Sequence, residues 1–159
     1  MEWKANMFRG QFIQKIDAKG RVSMPARFRE ALASAGDSRF IITPAPFDPC
    51  LHVFALRAWE EIERKISELP SHDRNVVRFR RQYVSAALEC ETDRVGRVLI
   101  PPHLRDAAQL DKDQPAADLV WAGMGKNIEL WSKARWDQAL EISAEDEQSY
   151  RNAVEQFPL

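Results

Sequence analysis

Apolar residues Ile13, Ile16, Val22 and Met24 bracket a short polar stretch, Asp17-Ala18-Lys19-Gly20-Arg21. Leu88, Val98 and Ile100 bracket another, Asp93-Arg94-Val95-Gly96-Arg97. Each block predicts a strand, a tight turn and a second strand, from Phe8 to Met24 and from Leu88 to Ile100. The spacing Phe28, Ala31, Leu32 then predicts a short helix over Pro25 to about Ala35, and Leu104, Ala107, Ala108 a matching one over Pro102 to Leu110. Phe40-Ile41-Ile42 and Leu51-His52-Val53-Phe54 read as strands around a proline-rich turn, Pro44 to Pro49. Trp59, Ile62, Ile66 and Leu69 mark the inward stripe of a helix ending near Pro70. Leu119-Val120-Trp121 and Ile128 to Trp131 read as strands joined by a turn over Gly123 to Asn127. Trp136, Ala139 and Leu140 begin a further helix.

Two segments carry polar faces as pronounced as their apolar ones. From Asp73 to Ala87, the stripe Val76, Phe79, Tyr83, Ala87 is opposed by Arg74, Arg78 and Arg81, with Arg80 beside them. A solvated helix, or one docking a neighbouring subunit, fits that pattern better than direct contact with bases. Near the end, Tyr150, Ala153, Val154 and Phe157 form a stripe in an acidic surround. That helix has little to bury against within its own chain, which points to a neighbouring subunit.

The two turn blocks are copies. Asp, Gly, Arg, Val and Pro recur in the same places in Asp17 to Pro25 and Asp93 to Pro101. Phe28-Arg29-Glu30-Ala31 answers Leu104-Arg105-Asp106-Ala107, and Trp59 answers Trp136. We read a tandem duplication whose period is too long for a solenoid. It divides the chain into an N-terminal extension (1–6), a first half (7–70), a connecting helix (71–87), a second half (88–143) and an acidic C-terminal helix or tail (144–159). Within each copy, Gly20 or Gly96 supplies the positive φ of a tight turn. Asp17 can pair with Arg21, and Asp93 with Arg97, leaving other guanidinium donors free. Pro25 and Pro101 suit the start of a helix.

Composition narrows the class. At 159 residues, 45% hydrophobic and 30% charged, the chain suits a soluble globular protein. It has no apolar run of membrane-spanning length, so no membrane partner is expected. The opening residues lack the apolar core of a secretory signal, so a cytoplasmic location is expected. The net charge of −1 hides an uneven distribution. Arg9, Lys15, Lys19, Arg21, Arg27 and Arg29 face only Asp17 near the start, whereas acids dominate after Trp136. Such local fields can hold a polyanion on one face. Cys50 and Cys90 form no CxxC spacing and read as reduced structural thiols. His52, His72 and His103 stand at no ligand spacing along the sequence. His52 reads as a packed or surface histidine, and no metal or cofactor is expected. His103 occupies the place of Arg27. Asp17 and Asp93, tied to arginines, suit structural carboxylates better than general bases, and no catalytic motif is present. An enzyme is not expected.

Met7-Phe8-Arg9-Gly10 followed by Ile16 to Arg29 closely resembles the start of the bacterial MraZ proteins, and Gly96 to Pro101 with Leu104-Arg105 resembles that family's second motif. The resemblance implies an α+β fold. In it, two tandem AbrB-like (SpoVT-AbrB) swapped-hairpin halves form one pseudo-symmetric β-barrel-like core with short flanking helices. It implies a homo-oligomeric ring that binds double-stranded DNA repeats upstream of the division and cell-wall gene cluster, as a nucleoid-associated transcriptional regulator. On that reading Arg21 and Arg97 reach DNA, while Asp17, Gly20, Asp93 and Gly96 shape the turns. Lys15, Lys19, Arg27 and Arg29 are candidates for phosphate contact. The first turn, with Lys19 where the second has Val95, is expected to be the principal reader.

Overall fold

The computed structural model describes residues 7–110 and 118–158. The N-terminal extension and the stretch 111–117 between the expected helix and strand of the second half lie outside them. Among the described residues the first half contributes β1 (Phe8–Lys15), β2 (Arg21–Ser23), α1 (Ala26–Ser34), β3 (Phe40–Pro44), β4 (Leu51–Ala55) and α2 (Leu56–Ser67). After α3 (Arg74–Tyr83), the second half repeats the series as β5 (Leu88–Cys90), β6 (Arg97–Leu99), α4 (Pro102–Ala108), β7 (Asp118–Gly125), β8 (Ile128–Ser132) and α5 (Lys133–Leu140). The last element is α6 (Glu147–Glu155).

The strands exchange partners between halves. A six-stranded antiparallel sheet runs β1-β7-β8-β4-β3-β5, and β2 pairs separately with β6. The first strand of each half thus lies against the third strand of the other. Within the first hairpin a single bridge, Ile16 to Val22, links the two arms. The halves meet in the centre of the sheet, where β4 pairs with β8 through Leu51–Leu130, His52–Glu129 and Val53–Ile128. The order reads the same from either edge once equivalent strands are interchanged. The sheet is open: β1 and β5 each have one unpaired edge, and no closed barrel forms among the described residues. The architecture among the described residues is thus mixed α/β, with six helices and an open antiparallel sheet where the resemblance implies a barrel-like core.

Burial follows the two-residue period of the strands. One face of the sheet carries Phe40, Ile42, Leu51, Val53, Trp121 and Leu130, packed with Phe28 of α1, Leu104 of α4, and Val22 and Val98 of the small ladder. Phe28 is completely buried and receives the rings of Phe8 and Phe12 edge-on, at 5.8 and 5.2 Å. Burying one such side chain stabilises the fold by about 1.5–3 kcal/mol. The other face is covered in two patches. Ile41 and Phe54 pack against Trp59 and Ile66 of α2 and Tyr83 of α3, while Cys50, Val120 and Trp131 pack against Trp136 of α5. Trp59 and Trp136, matched in sequence, both lie buried in equivalent helices.

Three local details differ from the sequence reading. Gly123, Met124 and Gly125 belong to β7 rather than to a turn, because pairing of β1 with β7 reaches Phe8–Gly125 and keeps that stretch extended. The turn itself is confined to Lys126 and Asn127. Pro44 closes β3 rather than opening the turn. Pro25 and Pro101 are the N-cap residues of α1 and α4, one step before the helical turn. No described helix is long and apolar enough to cross a membrane.

Candidate nucleic-acid interface

Each Asp-x-x-Gly-Arg segment folds into the same clamped turn. Asp17 Oδ1 accepts the backbone N–H groups of Lys19 and Arg21, both at 2.9 Å, and its Oδ2 accepts Arg21 Nε at 2.9 Å. In the second copy Asp93 Oδ1 accepts Val95 N–H at 3.0 Å and Arg97 N–H at 2.9 Å, and Oδ2 accepts Arg97 Nε at 2.9 Å. One carboxylate thus closes the turn and aims the guanidinium. Both carboxyls are held below the usual aspartate value, first by the backbone N–H of the arginine and then by its side chain. Gly20 and Gly96 both have φ of 85°, where other residues are strained.

The halves brace each other's turns. Met24 N–H donates to Gly96 O at 2.9 Å, and Ile100 N–H donates to Gly20 O at 2.8 Å. The Arg29 side chain donates from Nε to Met24 O at 3.1 Å and lies over Gly96. Arg105, its counterpart, donates to Ile100 O at 2.9 Å and lies over Gly20. Each glycine therefore serves twice, giving the positive φ and leaving room for the opposite half's arginine.

Between the turns, β2 and β6 pair as Arg21–Leu99, Val22–Val98 and Ser23–Arg97. Val22 and Val98 point into the core. Alternation puts Arg21, Ser23, Arg97 and Leu99 on the opposite, outward face. Arg21 and Arg97 are then diagonal neighbours, about 7–8 Å apart at the backbone. Their side chains remain 33% and 37% exposed despite the ion pairs. Each uses Nε for its aspartate and keeps its two terminal amino groups outside that bond.

The remaining basic candidates are spread more widely. Lys19 is exposed on the first turn and Arg27 on α1. Lys15 pairs with Asp118 across the β1–β7 ladder at 2.8 Å, which offsets its charge. Arg29 is exposed, yet one of its donors is committed to Met24. Two further arginines stand at the turns beyond the candidates that the sequence pattern offers. Arg94 is exposed in the second turn where the first has Ala18, a cation visible in the aligned copies. Arg105 follows from its match with Arg29, although its place over the other half's glycine does not. In α3, Arg80 caps the end of α2, donating to the carbonyls of Ile66 at 3.0 Å and Leu69 at 3.1 Å.

A family model described as "MraZ protein, putative antitoxin-like" matches residues 7–82 and 84–156. The chain is 42% identical over 149 residues to the "Transcriptional regulator MraZ" of Desulfitobacterium hafniense (strain Y51), covering 94% of this chain and 95% of that one. It is 44% identical over 131 residues to the protein of the same name from Carboxydothermus hydrogenoformans, covering 82% and 85%. Against that of Nitrosococcus oceani it is 39% identical over 144 residues, covering 89% and 93%.

Proposed function

This chain belongs to the MraZ family, and on that premise we propose that it is a sequence-specific, DNA-binding transcriptional regulator. The observation that carries the proposal is the pair Arg21 and Arg97. They share one outward face, are oriented by carboxylates, and keep donors to spare. Arginine reads guanine through two parallel hydrogen bonds in the major groove. A separation of about 7–8 Å spans roughly two base steps at 3.4 Å each. The first turn is the principal reader, with Lys19 beside it. Arg94, Arg27 and Arg29 neutralise phosphates and set register, with Lys15 contributing less because of Asp118. The relatives' regulatory role is not enzymatic, and neither is this one.

The fold belongs, on this reading, to the AbrB-like swapped-hairpin class, with each half lending its first strand to the other. The operator is a set of tandem repeats upstream of the division and cell-wall gene cluster, read by a homo-oligomeric ring at the nucleoid. Two surfaces of the monomer support assembly. Helix α6 has no buried residue, leaving Tyr150 and Phe157 exposed by 55% and 62% among Glu147 and Glu155. A groove between α2 and α3 is lined by Ile66, Val77 and Val84, with Arg80 and Arg81 against one acid, Glu63. An acidic apolar helix suits a basic apolar groove on a second copy. Two different patches make a head-to-tail contact, the kind that closes rings. Several turns at fixed spacing then gain avidity for repeated sites.

Titration of the protein against its gene's own upstream DNA and a scrambled control, at two salt concentrations, tests the proposal. Preference for the upstream DNA, weakening with salt, is the expected result. Equal binding to both, or none, contradicts it.

A further inference from the structure

The centre of the sheet holds a cluster that the DNA reading does not use. His52 of β4 and Glu129 of β8 are paired directly across the seam between the halves. Cys50 precedes His52 by two residues, so its side chain falls on the same sheet face. The Cys50 thiol, a ring nitrogen of His52 and a carboxylate oxygen of Glu129 all lie within 4.8 Å of one another. Each neighbour is already oriented. Tyr83 Oη lies 2.8 Å from His52 Nδ1, which turns Nε2 toward Glu129 Oε2 at 3.6 Å. Trp131 Nε1 donates to Glu129 Oε1 at 3.0 Å, leaving Oε2 for the cluster. Tyr83 is itself anchored, since its carbonyl accepts the Thr43 hydroxyl at 2.6 Å.

We propose that Cys50, His52 and Glu129 bind a zinc-like divalent transition-metal ion. A sulfur, an imidazole nitrogen and one carboxylate form a donor set for zinc or its neighbours rather than for calcium or magnesium, which take oxygen ligands. Bond lengths of about 2.0–2.3 Å require the donors to draw together modestly around the ion. Tyr83 supplies the partner on the far ring nitrogen that metal-bound histidines ordinarily have. Three protein ligands leave one position for water. Coordination releases the thiol proton to solvent, and without an ion burial keeps that thiol protonated. The His52 and Glu129 side chains keep 19% and 14% of their surface exposed, which gives the ion its way in, while Cys50 forms the floor. Its effect is structural: it fastens β4 to β8, and hence one half to the other, with α3 held through Tyr83.

The competing account is an ion pair between His52 and Glu129 beside an inert buried thiol. Cobalt chloride, titrated into the reduced, chelator-stripped full chain, separates the two. One equivalent of cobalt per chain with a sulfur-to-cobalt charge-transfer band, displaced by zinc chloride, is expected. Cys50→Ser should remove that band. Glu129→Gln, which preserves shape and the indole contact, should weaken binding by more than about 100-fold, and Tyr83→Phe by about 10- to 100-fold. Zinc should also raise the unfolding temperature of the wild type but not of Glu129→Gln. Absence of the band, or a band and affinity unchanged in Cys50→Ser and Glu129→Gln, overturns the proposal.

Discussion

Arg21 and Arg97 stand diagonally across the β2–β6 ladder on one outward face, each fastened at 2.9 Å to the aspartate that opens its own turn. The relationship ties the duplication to chemistry. Neither half builds this face alone, because β2 pairs in a ladder with β6 of the other half. The face persists only while both turns keep their shape and both halves stay interlocked.

Gly20 is the point where that interlock is tightest. A Cβ there would collide with the Arg105 guanidinium and come within 2.9 Å of Ile100 O, at a φ of 85°. Gly20→Ala should cost at least about 1–2 kcal/mol from the backbone alone. Urea unfolding should show a lower midpoint with an unchanged slope. DNA preference should fall with it, since the turn and the Arg105 brace shift together.

The clamping carboxylates predict resistance to acid. Asp17 and Asp93 have their folded values depressed below 3.8, chiefly by the arginine backbone N–H groups. A depressed folded value means that the stabilisation is fully present above the unfolded value and fades as pH falls through the folded one. Carboxyl titration followed by NMR should therefore place both transitions below those of exposed aspartates. Asp17→Asn should remove the first turn's transition and loosen Arg21, read as weaker DNA discrimination at neutral pH.

Removal of residues 144–159 should leave the monomer folded, because α6 buries nothing within its own chain. Light scattering should show a smaller assembly, and affinity for tandem repeats should drop more than affinity for a single repeat. If assembly is unchanged while regulation in cells is lost, the acidic tail captures another protein instead.

Much of this was legible in the sequence because it is local. Gly20 and Gly96 fix turns, Pro25 and Pro101 start helices, and Trp59 and Trp136 mark equivalent helices. What the duplication could not convey was how the halves pair. Self-similarity describes each half but does not say that β1 seeks β7, that Arg29 covers Gly96, or that the sheet stays open. His52 illustrates the same limit. Along the chain only the spacing to Cys50 and Asp48 is visible, and Glu129 reaches it through the β4–β8 register. Gly123 to Gly125 have the composition of a turn, yet a long ladder with β1 holds them extended.

Whether the paired arginines read bases is decided by a mutant cycle on DNA discrimination. Arg21→Ala, Arg97→Ala and the double variant are titrated against repeat and scrambled DNA at matched salt, with Lys19→Ala beside them. Each arginine should cost roughly 1–3 kcal/mol of discrimination. Lys19→Ala should weaken both DNAs alike and reduce the salt slope by about one. Full discrimination in the double arginine variant would mean that neither arginine reads bases.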